Sequence, residues 1–158
     1  MSAFDKYLHG VVVRAMREAR EDGSATIDAH HLLLSLAADR GSTAQRVLAS
    51  AGLDRDAVRA ALDREFEHSL SLIGVSPAAN DLPRPSPATQ EPALGASARL
   101  ALDRSFATAR KKDLRSAHLL LGILEARIGT VPRALALAGV DRAELADRAG
   151  RTLDGGDR

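Results

Sequence analysis

Five histidines are the most reactive side chains of this 158-residue chain, and no cysteine accompanies them. Three stand where helices are expected to begin: His30 and His31 side by side, and His118 farther on. An imidazole in such a place could serve as a general base on a small substrate, and two together could hold a metal ion. The spacing argues against the metal, because adjacent helical side chains point about 100° apart, whereas a zinc pair is usually drawn from i,i+4 positions or from a loop. No metal and no cofactor is therefore expected. His31 and His118 each precede three leucines, so a repeated packing or hydrogen-bonding role explains them better than catalysis. The sequence reads as noncatalytic, and a small-substrate enzyme using His30, His31 or His118 as base is the competing reading.

Other chemistry is thinly represented. The chain contains no GxxxxGK[ST] phosphate loop, GxGxxG fingerprint, HExxH helix or GxSxG elbow. The acidic pair Asp54 and Asp56 falls at an expected helix start, where negative charge is locally favourable, and Glu65/Glu67 is the other such pair. Arg14, Arg17 and Arg20 alternate with Glu18, Glu21 and Asp22, and the i,i+4 spacing predicts surface pairs Arg14–Glu18 and Arg17–Glu21. With 22 basic against 21 acidic residues and no basic block, duplex or phosphate binding has little electrostatic support. A DNA-binding regulator is the third reading, and it would require steeply salt-dependent binding.

The elements that must position these residues are helices. Aromatic residues make up 3% of the chain and hydrophobic residues 45%, a composition of aliphatic helices rather than of a β-sandwich. No apolar run approaches a membrane span and no leader pattern opens the chain, so with no cysteine a cytoplasmic protein away from membranes is expected. Residues 74–94 hold five of the six prolines and read as a linker.

The two flanks repeat each other. An offset of 87 carries His31-Leu32-Leu33-Leu34 onto His118-Leu119-Leu120-Leu121, and Ala51-Gly52-Leu53-Asp54-Arg55 onto Ala138-Gly139-Val140-Asp141-Arg142. Upstream the offset becomes 90, which predicts a connection three residues shorter in the second half. Each half reads as four helices, eight in all. The first has its apolar face at Phe4, Leu8, Val11, Val12, Ala15, Met16 and Ala19, and its mate spans roughly 96–112. Asp28 and Ser116 are the expected caps of the second helices, and the fourth should align Val58, Leu62, Phe66 and Leu70. The organisation expected is repeat one at 3–73, linker at 74–94 and repeat two at 95–153.

On these duplicated blocks the sequence closely resembles the Clp repeat domain, the paired N-terminal module of ClpC/ClpA-type AAA+ unfoldases. The family block I-G-T-E-H-I-L-L-G-L reads here as Ile27-Asp28-Ala29-His30-His31-Leu32-Leu33-Leu34-Ser35-Leu36, and as Leu114-Arg115-Ser116-Ala117-His118-Leu119-Leu120-Leu121-Gly122-Ile123. The resemblance implies an all-α, pseudo-twofold domain of two tandem four-helix repeats that binds clients, adaptors or regulatory molecules without catalysis. Without ATPase modules it implies an adaptor, or a decoy that sequesters ligands such as cyclic-peptide antibiotics, with Clp ATPase or protease components as partners. The family's partner surface between the two first helices maps to Phe4, Val12, Leu94, Arg99 and Asp103. Its phosphoarginine pockets map to Asp5 and His30, and to Gly95 and Ala117. The family has Thr and Glu at those positions, so weak or absent phosphoarginine binding is expected.

Overall fold

The computed structural model describes residues 2–75 and 89–154; most of the proline-rich linker expected at 74–94 lies outside the described residues. Among them are eight α-helices: α1 (Ala3–Glu21), α2 (Ala29–Ala38), α3 (Thr43–Ser50), α4 (Arg55–Leu72), α5 (Ala96–Ala107), α6 (Ser116–Leu124), α7 (Thr130–Leu137) and α8 (Arg142–Asp154). A single 3-10 turn, Lys111–Asp113, precedes α6. The chain is all-α, as its composition predicts, apart from two two-residue strands, β1 (Thr26–Ile27) and β2 (Ala93–Leu94). They pair in parallel, Thr26 opposite Ala93 and Ile27 opposite Leu94.

The helices form two four-helix repeats that interlock. The leucine-rich helices α2 and α6 meet at the centre, α4 of the first repeat packs on α7 of the second, and α8 packs on α3. Leu32, Leu33, Leu34 and Leu36 of α2, with Leu119, Leu120, Ile123 and Leu124 of α6, are almost wholly buried. Burial on every side explains why these two helices are apolar around most of their circumference.

Local chemistry sets the boundaries. Ser2 caps α1 reciprocally with Asp5, Ser42 caps α3 through the amide of Gln45, and Asp54 caps α4 through that of Ala57. Asp141 likewise accepts from the amide of Glu144 at the start of α8. Gly52 and Gly139 end α3 and α7 with φ of 74° each, a left-handed stop that L side chains resist.

Three expectations are corrected. The cap of α6 is Arg115, and Ser116 is the first helical residue; its hydroxyl instead accepts from the amide of Ala44 at the start of α3, tying the two repeats together. The second first-helix ends at Ala107 rather than near 112, so the three-residue shortening falls in the helix and not in the connection. There the Thr108 hydroxyl donates to the Ser105 carbonyl, an alternative to continued helix. On α4 the buried face runs Val58, Ala61, Leu62 and Glu65, while Phe66 is exposed. Strict i+4 steps drift around a helix with 3.6 residues per turn, and the true stripe alternates three and four.

Candidate functional site

The recurring histidine is positioned by a shared device. In the first repeat, His31 Nδ1 accepts the backbone N–H of Asp28, the residue that opens α2, at 2.9 Å. In the second, His118 Nδ1 accepts the backbone N–H of Arg115 at the same distance. Each imidazole thus does what a Glu does in a capping box, reaching back from the third helical position to an orphan amide. With Nδ1 occupied as an acceptor, a neutral ring carries its proton on Nε2. Neither ring then keeps a free lone pair with which to take a proton from a substrate. Burial, with the charge of Arg115, pushes His118 below the ordinary imidazole value, which favours the neutral capping form.

His31 has a second partner. Its Nε2 donates to Asp22 Oδ2 at 3.0 Å, and Arg59 holds the other carboxylate oxygen at 3.2 Å. Burial alone would raise Asp22, but the hydrogen bond from His31 and the charge of Arg59 hold it below its ordinary value. Glu18 extends the chain of contacts, accepting from Arg55 at 2.8 Å and from Arg59 at 3.3 Å. The end of α1 is thereby tied to α4 and to the start of α2. Glu18 goes to α4 rather than to Arg14, which turns to Asp39 at 3.6 Å, and Arg17 and Glu21 are both exposed.

His30 is the free member of the pair. Its ring centroid lies 4.0 Å from that of His31, so the divergence of adjacent helical side chains does not keep the rings apart. Burial, aided by the neighbouring His31, pushes His30 down to about 4 and leaves it neutral at physiological pH. Ligand atoms of Asp22, His30 and His31 fall within 4.8 Å of one another, close enough for one divalent ion. Binding there would require His31 to give up either its Asp28 cap or its Asp22 bond, and the ion would face the guanidinium of Arg59. The donor set fits a structural hydrogen-bond chain better than a metal centre.

The residues expected at a partner surface are distributed along α1 and α5. Phe4 is buried and packs edge-on against the half-exposed Phe106 at 6.5 Å between ring centroids. Together with Asp5, Leu8 and Leu114 they line a cavity of about 300 Å³ between the start of α1 and the end of α5. Val12 is half-buried against the core. Leu94 lies in β2 at the opposite end of α5, where its carbonyl accepts from Arg99 Nε at 3.4 Å, and Arg99 and Asp103 are exposed. Phe106 is the residue that sequence reasoning missed at this site. The upstream repeat offset of 90 pairs it with Met16, a half-buried residue packed against the core, and so conceals its exposure.

The positions mapped to phosphoarginine pockets are also separated. Asp5 lines the Phe4–Phe106 cavity, His30 lines two other clefts, and Ala117 is completely buried. Gly95 hydrogen-bonds the Ile27 carbonyl through its amide at 2.9 Å. A Cβ there would meet the carboxylate of Asp28 at 2.4 Å and the Ile27 carbonyl at 3.1 Å, so a side chain at this position requires Asp28 to move.

Two interlocked four-helix repeats, each opening its central helix with a histidine cap, define a duplicated helical repeat domain. The chain belongs to the family described as Clp repeat (R) N-terminal domain, which it matches over residues 3–115. Its fold is similar to that of the N-terminal domain of the caseinolytic protease associated chaperone ClpD from Arabidopsis thaliana. That likeness has a TM-score of 0.63 at 19% identity, covering 92% of this chain and 93% of that one. The N-domain of ClpV from Vibrio cholerae is similar as well, with a TM-score of 0.59 at 20% identity over 98% of this chain and 85% of the other. Comparison with curated protein sequences gave no match. Among the described residues no helix is long and apolar enough to cross a membrane.

Proposed function

We propose that this protein is a noncatalytic binding module of the Clp protease system, which docks a client or adaptor protein in the groove between α1 and α5. The observation that carries the reading is Phe106, an aromatic ring 45% exposed beside a cavity whose floor is the buried Phe4. An apolar pocket with a rigid aromatic rim is the kind of surface on which partner side chains bury most productively. Arg99 and Asp103 on α5 supply opposite charges that can fix the partner's register. The histidine caps support the absence of catalysis, since both duplicated rings are committed to backbone amides.

Phosphoarginine binding is weak on this reading, because the family's glutamate positions hold His30 and Ala117 and its threonine positions hold Asp5 and Gly95, so each expected carboxylate and each expected hydroxyl is missing from its place. The cysteine-free composition supports a cytoplasmic working place. The test is a pull-down from native lysate on the immobilised protein, with a Phe106→Ser variant as control. Enrichment of Clp ATPase or protease subunits, lost in the variant, is the expected result. Equal recovery on both would refute the groove. Titration calorimetry with a cyclic-peptide Clp inhibitor separates the two roles open to such a module: tight binding marks a sequestering decoy, and none marks an adaptor.

A further inference from the structure

A second concave surface lies away from the Phe4–Phe106 groove. One face of α5, the start of α2 and the connection from α6 into α7 enclose a cleft of about 470 Å³. Three guanidinium groups enter it, Arg104 from α5, Arg127 from the connection and Arg133 from the first turns of α7. The chain as a whole carries a net charge of only +1, so this is a local concentration of positive charge.

The acidic groups nearby do not cancel it. Among the described residues Asp28 is the one carboxylate lining the cleft, and it already accepts from the Thr26 hydroxyl at 3.0 Å and the Ser97 hydroxyl at 3.4 Å. Glu65 is buried and holds Arg133 through Nε alone at 2.9 Å, which leaves the two terminal amino groups of a half-exposed side chain available. Glu125 reaches Arg104 only loosely, at 3.9 Å. Arg127 has no ion-pair partner among the described residues. His30, which also borders the cleft, is neutral at physiological pH. Between the guanidinium groups stand two exposed apolar side chains, Leu100 at 52% and Ile128 at 88%. Arginine beside exposed aliphatic surface suits a partner that offers carboxylates and apolar side chains in alternation.

We propose that this cleft docks an acidic, leucine-rich segment of a partner protein, with its carboxylates on Arg104, Arg127 and Arg133 and its apolar side chains on Leu100 and Ile128. The inference stands beside the groove reading and does not rest on it. Fluorescence anisotropy tests it on the full chain, using a labelled synthetic peptide of alternating Leu and Glu with its Leu–Lys counterpart as control. The expected result is saturable binding of the Leu–Glu peptide alone, weakened by added salt. Arg127→Glu should weaken it by about tenfold, Arg104→Glu should also weaken it, and Phe106→Ser should leave it unchanged. Both charge-reversal positions are at least partly exposed, and circular dichroism verifies that the variants fold. Equal binding of the two peptides, no saturable binding, or an unaffected Arg127→Glu variant would overturn the proposal. Displacement of the peptide by millimolar inorganic phosphate would also overturn it, in favour of a site for small oxyanions.

Discussion

The two repeats solve one packing problem with the same atoms arranged differently. In the first, α2 crosses α1 with Ser35 facing the helix, and its hydroxyl donates to the Val11 carbonyl at 2.7 Å. In the second, the equivalent of Ser35 is Gly122, and the carbonyl equivalent to that of Val11 belongs to Ala101. That carbonyl still accepts a serine hydroxyl, but from Ser105 on its own helix, at 2.8 Å. The position matching Ser105 in the first repeat is Ala15, which is fully buried. One hydroxyl and one small residue are kept at each crossing, with the helices that carry them exchanged. Duplication preserved the requirement, a satisfied carbonyl at a close helix crossing, and not the residue that meets it.

The largest effect that follows is at this crossing. Replacing Gly122→Ser restores the first repeat's residue but drives its Cβ into the Ala101 carbonyl and the Ser105 hydroxyl. It should cost about 3 kcal/mol in urea unfolding. Adding Ser105→Ala should recover only part of that loss, since the carbonyl stays in place. At the matching position of the first repeat, Ser35→Ala removes one hydrogen bond and should cost about 1 kcal/mol. If the two single variants cost the same, the comparison fails.

The histidine caps come next, because they are alike in geometry and differ in surroundings. His31→Ala frees both the Asp28 amide and the Asp22 carboxylate, whereas His118→Ala frees the Arg115 amide. The expected losses are about 2 and about 1 kcal/mol, read as shifts of the denaturation midpoint at constant slope. A larger loss at His118 would mean that Asp22 and Arg59 do not support the first cap.

The effect that is smallest at neutral pH is the pH-dependent one. His30, at about 4, and His118 both lie below the ordinary imidazole value near 6.5 in the folded protein. Between about 4 and 6.5 the unfolded chain therefore binds more protons than the folded one, and stability falls as pH drops through that window. His30→Gln should flatten this fall while leaving stability at pH 8 nearly unchanged. An unaltered slope would show that His30 is not held neutral by its burial.

Much of this was legible in the residues. The repeat offset, the eight helices and a hydrogen-bonding role for His31 and His118 follow from spacing and cap chemistry, all of which are local. What periodicity could not convey is which element covers a given face. Glu65 is buried where Arg133 arrives from α7, while Phe66 beside it is exposed. Asp22 closes the first cap from nine residues away, across a turn whose path the sequence does not specify. Ser116 looked like a cap for its own helix and serves α3 instead, since a hydroxyl carries no mark of the amide it will meet. At the candidate site, Phe4 matches the family's pattern, whereas the exposure of Phe106 depends on α5 ending at Ala107, which leaves the ring at the helix end.

The contrast between Phe106 and its counterpart Met16 also provides the most direct test of the proposal that a Clp partner docks in the Phe4–Phe106 groove. A photo-crosslinking amino acid is placed at position 106 in one protein and at position 16 in another, and each is irradiated in native lysate. Adducts with Clp ATPase or protease subunits are expected from position 106 and none from position 16. Equal adducts from both positions, or none containing Clp subunits from 106, would contradict it.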